Sequence, residues 1–196
     1  MPPVNRSRAL AETVHLAALG IWFGAIGMTG AAAAVAFPTM RDLDPTLGAY
    51  AAFPKEHWPI AAGEVLFKLF QISDLVSILC VVLAVGSLGA AIVAGGLSMG
   101  RLATKLRVLL LVLIIAVQSW ALFVLMPRMT HNVNEFWDAA KAGEVQRAGE
   151  YRVRFSDDHP TSRRVSEILL LTIAASLVAT GVSMTDRKPT KKDPES

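Results

Sequence analysis

Long uncharged stretches alternate with short charged segments along the chain. Four stretches contain no Asp, Glu, Lys or Arg, and they cover residues 13–40, 75–100, 108–127 and 168–185. A helix needs about 20 apolar residues to cross a hydrocarbon core, and backbone groups in lipid must bond within their own segment. The pattern therefore predicts membrane-spanning helices over about 11–38, 66–98, 104–128 and 164–185.

Composition supports this interpretation. The chain is 53% hydrophobic and 18% charged, whereas soluble domains are about 25% charged. A secretory signal peptide has an apolar core of about 7–15 residues, so the first stretch is too long to be one. We expect residues 1–185 to form one all-α domain, an integral membrane four-helix bundle in contact with the lipid bilayer. The polar tail 186–196 is expected to be disordered.

A helical hairpin outside the bilayer is predicted between helices three and four. An apolar face with the helical spacing i, i+3, i+4, i+7 is formed by Val133, Phe136, Trp137 and Ala140. Gly143 is a natural helix stop, and 144–155 can run back as a helix. Pro160 suits the first turn of the fourth span, where its missing N–H costs nothing.

Charge predicts the orientation. With four spans, both termini and the loop 100–107 share one side, which carries a net charge of +5 against −2 on the other side. Basic residues near span ends favour the cytoplasm. We therefore expect a multi-pass protein of a bacterial inner membrane with both termini cytoplasmic. The basic residues lie mainly at the ends of apolar segments, so topology explains the overall charge of +3 and nucleic acid is not an expected partner.

Small residues form a stripe along the first span. Gly20 and Gly24 make a GxxxG motif that Gly27, Ala31 and Ala34 continue along roughly the same face. Small residues let helices approach closely in lipid. The stripe indicates either packing within the bundle or a seam with another copy or another membrane subunit.

Few polar side chains lie inside the predicted spans. Asp74 is the one carboxylate expected there, on a face of span two shared with Gln71, and Gln118 of span three is its natural partner. Such residues normally face the bundle or water. The set indicates either an ion or proton path or structural hydrogen bonding. His15 and Trp22 are the corresponding polar candidates of span one.

The histidines limit the possible cofactors. His15 lies on the side opposite the other three, so a haem held by His15 together with another histidine is not expected. On the side predicted to face away from the cytoplasm, His57, His131 and His159 are accompanied by carboxylates that could act as oxygen ligands. Zinc and copper accept such sets, but the spacing matches no tight motif and helix-capping surface histidines explain it as well. We expect no cofactor. Walker A, HExxH and GxGxxG motifs do not occur in the sequence, and the GxSxG match at residues 96–100 lies at the end of a predicted span rather than on a strand-to-helix turn, so no catalytic residue is assigned and an enzyme is disfavoured.

Three segments carry a resemblance to a known family. They are HLAALGIWFGAIGMTGAAAAVAFPTM, with His15, Trp22, Gly24, Phe37 and Pro38; AAGEVLFKLFQISD; and FSDDHPTSRRVSEIL, with Phe155, His159 and Ser162. Together they resemble the transmembrane protein 205-like domain family of small four-helix membrane proteins. The resemblance implies a fold more than a reaction, since members are mostly uncharacterised and some are linked to drug or metal-drug tolerance.

The first span is also distantly similar to copper-resistance D-type proteins and to bacterial membrane protoporphyrinogen oxidases, which share a His-then-Trp first helix. Taken together, the sequence predicts a non-enzymatic membrane protein, an accessory or structural subunit of a larger assembly. The alternative is a small transporter or ion- or metal-handling protein that uses Asp74 together with His57, His131 and His159.

Overall fold

A computed structural model describes residues 6–93 and 97–185 of the chain, and these residues form helices without strands. The α-helices are α1 (Arg6–Leu43), α2 (Trp58–Val93), α3 (Leu102–Trp120), α4 (Met126–Lys141) and α5 (Val145–Thr185). A 3-10 turn covers Gly48–Tyr50, and a π-helical turn covers Ala121–Leu125. The predicted tail 186–196 lies outside the described residues.

Four helical rods are long and apolar enough to cross a membrane, because the π-helical turn joins α3 and α4 into one rod, Leu102–Lys141. The prediction of a four-helix, multi-pass membrane architecture is confirmed at this level. The rods run up and down, so the start of α1 lies beside the end of α2, where His15 Nδ1 is 3.0 Å from the Ala84 carbonyl oxygen. We call the end with the start of α1 the proximal end and the opposite end the distal end.

The helices extend beyond the predicted spans at the distal end. α2 begins at Trp58, and α5 runs without a break through Pro160. Pro160 was expected in the first turn of a helix, and this expectation is wrong because the charged segment before it is already helical. A proline within a helix removes the hydrogen bond to the carbonyl four residues earlier, which here is that of Ser156. At the proximal end, α2 ends at Val93, short of the predicted 98.

α4 turns back into α5 through a tight connection. Gly143 has φ of +74°, a conformation that glycine adopts at little cost. The predicted apolar face of α4 is buried, with Val133, Phe136 and Trp137 each at most 8% exposed. Whether this part of the chain lies outside the bilayer remains a prediction.

Two hydrophobic clusters hold the bundle together. The proximal cluster includes Leu19, Trp22 and Ile114. The distal cluster joins the 3-10 turn and its neighbours to α4, with Phe53 packed edge-on against Phe136 at 6.3 Å between ring centroids. A cavity lies beside the distal cluster.

Candidate functional site

A cavity lies between the distal parts of α1, α2, α4 and α5. Its volume is about 830 Å³, within the range of about 300–1,000 Å³ that is usual for small-molecule sites. Apolar side chains from all four helices line it, among them Ala33, Phe37, Phe67, Phe70, Met126, Met129, Phe136 and Phe155. Phe37 and Phe70 are 38% and 37% exposed, so the apolar wall extends to the outer surface of the bundle.

The cavity lies at the level where the uncharged stretches end. Ala33 and Phe37 belong to the last part of the first stretch, and Met126 belongs to the last part of the third. On α5, the lining residues Arg163, Arg164 and Glu167 immediately precede the fourth stretch. One part of the cavity therefore lies beside apolar segments of the helices, and the other part lies beside charged segments. The same change from apolar to charged occurs at the boundary between hydrocarbon and headgroups.

Positive charge dominates the polar part of the cavity. Arg152, Arg163 and Arg164 line it, opposed by one carboxylate, that of Glu167. Arg163 Nε donates to Glu167 Oε1 at 2.9 Å. Within residues 6–93 and 97–185, neither Arg152 nor Arg164 forms an ion pair. The site therefore carries two guanidinium groups whose charge no carboxylate of the described chain offsets.

The aromatic wall is held in place by contacts around Trp137. Phe67 of α2 meets the Trp137 ring edge-on, with 5.4 Å between centroids. A methyl group at Gly63 would lie 3.7 Å from the same ring, which is ordinary contact. Two helices thus fix the indole, and the cavity has a rigid side.

A hydrogen bond ties the 3-10 turn to α2 above this wall. The buried Tyr50 hydroxyl donates to Glu64 Oε1. Burial and the Glu64 carboxylate raise the pKa of Tyr50 above its ordinary value, because both disfavour the phenolate. Lys141 lies over the Tyr50 ring, 5.5 Å from its centroid.

The distal histidines occupy separate places. His159 lines the cavity and lies against Phe155, with 5.6 Å between ring centroids. His57 uses both ring nitrogens, since Nδ1 accepts from the Leu47 amide at 3.0 Å and Nε2 lies 3.1 Å from the Phe53 carbonyl. His131 packs edge-on against Tyr151. The described residues contain no group of three His, Cys, Asp or Glu able to hold a metal ion.

A buried ion pair lies at the proximal end. Arg107 donates to both carboxylate oxygens of Glu12, at 3.1 and 2.7 Å, and neither side chain is exposed. The sequence analysis missed this pair, because it treated Arg107 as a loop charge and gave Glu12 no role in the bundle. The available signal was the position of Glu12, one turn before His15 on the same face of the helix.

His15 and Trp22 extend this polar region along α1. A carbonyl oxygen only accepts, so the contact with Ala84 assigns the proton to His15 Nδ1 and leaves Nε2 as an acceptor. Both side chains are fully buried, and within the described chain neither His15 Nε2 nor Trp22 Nε1 has a hydrogen-bond partner. The charges of Arg107 and Glu12 both act on the ring.

The other polar candidates are not brought into the cavity. Gln71 is exposed, Asp74 is half-buried, and Gln118 is 5% exposed. Within the described chain, no hydrogen bond or ion pair joins Asp74 to Gln118. None of the three lines the distal cavity.

The small-residue stripe of α1 faces away from the bundle. Gly20, Gly24 and Gly27 are exposed, and a Cβ built at any of them would meet no atom within 4 Å. Of the two interpretations left open by the sequence, packing within the bundle is therefore wrong for these glycines. The stripe is a free helix face of the described chain.

No family model, curated protein or solved structure matches the chain.

Proposed function

We propose that this chain is a non-enzymatic membrane protein that binds an amphiphilic, lipid-like molecule at the distal end of its bundle. The observation that carries the proposal is the cavity of about 830 Å³ with walls from four helices. Its apolar lining suits acyl chains, and its level at the ends of the uncharged stretches suits a molecule with a polar head.

A cavity-filling variant tests this proposal. Ala33 lines the cavity, whereas Val35 does not and is 65% exposed. Ala33→Phe places a ring in the cavity, and Val35→Phe places the same ring on the outer face. We expect native mass spectrometry of the detergent-purified protein to show a retained phospholipid that Ala33→Phe loses and Val35→Phe keeps. Equal retention by both variants would place the lipid elsewhere and contradict the proposal.

A second proposed role is that of a subunit in a larger membrane assembly, through the free face of α1. The supporting observation is the open space beside Gly20, Gly24 and Gly27, because exposed small residues are typical of helix contacts in lipid. A Cβ at Gly24 has no described atom within 4 Å, so we expect Gly24→Leu to leave the fold intact and to weaken association. Gly181→Leu on α5, where a Cβ also has open space, is the matched control in cross-linking of native membranes.

The transport alternative depends on Asp74 and the distal histidines. The half-burial of Asp74 without a described partner favours it, and loss of ion flux in Asp74→Asn would support it. Membership of the transmembrane protein 205-like domain family is likewise proposed, as are the bacterial inner membrane and the cytoplasmic termini. The family's four-helix architecture agrees with the described fold.

A further inference from the structure

We propose that the amphiphile bound in the distal cavity is an anionic membrane lipid, whose headgroup Arg152 and Arg164 recognise. This inference rests on the proposed function and adds the charge of the ligand to it. The shape and the apolar wall alone would accept a neutral lipid equally well.

The first argument is charge balance among the lining residues. Three arginines face one glutamate, and Glu167 is engaged by Arg163. Arg152 and Arg164 are exposed and have no acidic partner in the described part of the chain. An arginine fork binds phosphate oxygens in pairs. Arg152 and Arg164 lie 12 residues apart on α5, about 18 Å along a helix axis, so the phosphate of a lipid without a compensating ammonium group pairs with Arg164, and Arg152 adds positive charge farther from the apolar part of the cavity.

The second argument is the contrast with other cations on the same helix. Arg147 pairs with Glu135 and with Glu144. Arg154 lies over the Tyr151 ring, 5.0 Å from its centroid. Neither lines the cavity. Among the described residues, Arg152 and Arg164 have no such neighbour, and both line the cavity.

The third argument is depth. Arg164 lies one helical turn before the last uncharged stretch, whereas Phe70 and Ala33 line the cavity from within the apolar parts of α2 and α1. An acyl chain among these apolar residues would hold its headgroup at the level of Arg164. A free anion would use the charged part alone and leave the apolar part unfilled.

The test compares two lipids with the same acyl chains. Full-length protein in detergent is titrated with phosphatidylglycerol or with phosphatidylcholine, and retention is measured by native mass spectrometry. We expect the native protein to bind phosphatidylglycerol roughly fivefold more tightly, on the basis of about 1 kcal/mol for the one basic group, Arg164, at the level of the lipid headgroup. Arg152→Gln with Arg164→Gln should bring the ratio close to one.

Arg154→Gln is the matched control, because it removes a positive charge from the same helix without touching the cavity, and it should keep the preference. Equal binding of both lipids by the native protein would overturn the anionic headgroup while leaving amphiphile binding intact. Binding of neither lipid would overturn the proposed function itself. Displacement of phosphatidylglycerol by millimolar inorganic phosphate would show a free-anion site and overturn the lipid assignment.

Discussion

The carboxylate of Glu12 and the guanidinium of Arg107 meet through two hydrogen bonds, 3.1 and 2.7 Å long, with both side chains fully buried. The residues are 95 positions apart in the chain. The pair therefore joins the start of α1 to the start of α3 across the proximal end of the bundle.

Removing one member of this pair should destabilise the protein strongly. Glu12→Met or Arg107→Met removes one side of the two-hydrogen-bond pair, and loss of one member of a buried pair costs about 3–5 kcal/mol in comparable sites. Arg8 Nε also lies 3.8 Å from Glu12 Oε1, with its side chain 17% exposed. The double variant removes both fully buried charges and leaves only the partly exposed Arg8, so we expect it to be more stable than Glu12→Met, which leaves the buried Arg107 charge. Thermal unfolding in detergent measures all three. Simple additivity of the two single losses would contradict the pairing.

The turn between α4 and α5 requires a glycine. A Cβ at Gly143 would lie 3.1 Å from the Ala52 Cβ, and the backbone φ is +74°. Gly143→Ala should therefore lower the free energy of unfolding by about 1–2 kcal/mol. Gly149→Ala is the control, since Gly149 is helical with open space around it and should gain up to about 1 kcal/mol. An unchanged free energy of unfolding in Gly143→Ala would show that the turn is easily rearranged.

The bond from Tyr50 to Glu64 should give a dependence of stability on pH. Because the pKa of Tyr50 is higher in the folded chain than in the unfolded chain, the folded state holds the phenolic proton more tightly. Its contribution is complete below about pH 10, the pKa of free tyrosine, and is lost as the pH rises from there through the folded pKa.

When the pH rises from about 8 to about 11, the melting temperature of Tyr50→Phe should therefore fall less than that of the native protein. Below pH 10 it should be less stable by about 1–3 kcal/mol, because a charged acceptor loses its donor. Tyr151→Phe, whose hydroxyl forms no hydrogen bond in the described chain, is the control. Identical alkaline losses in all three proteins would contradict the role of Tyr50.

Asp74→Asn distinguishes lipid binding from transport. Asp74 does not line the distal cavity, so lipid retention should stay within about twofold of the native value, a free-energy change of about 0.4 kcal/mol. Ion flux into vesicles is measured on the same preparation. Loss of flux with unchanged lipid retention would favour the transport alternative over a purely binding role.

The four apolar rods could be predicted from the sequence because each is a local property of one uncharged stretch. The buried face of α4 was likewise visible in the helical spacing of Val133, Phe136 and Trp137. The Glu12–Arg107 pair was not visible, since charges at the ends of apolar stretches usually lie in water or headgroups. The cavity depends on how four helices diverge at one end, and no local pattern of residues encodes that divergence.

The π-helical turn at Ala121–Leu125 has a consequence for chain length. Its hydrogen bond from the Met126 amide to the Ala121 carbonyl encloses one residue more than an α-helical turn does. The rod Leu102–Lys141 therefore contains one extra residue between the part that contacts the proximal cluster and the part that lines the cavity. Deleting one residue there would restore a regular α-helix and leave the azimuth of Met129 and Phe136 about the rod axis unchanged. Deleting one residue of α4 before Met129 would instead rotate both cavity-lining side chains by about 100°.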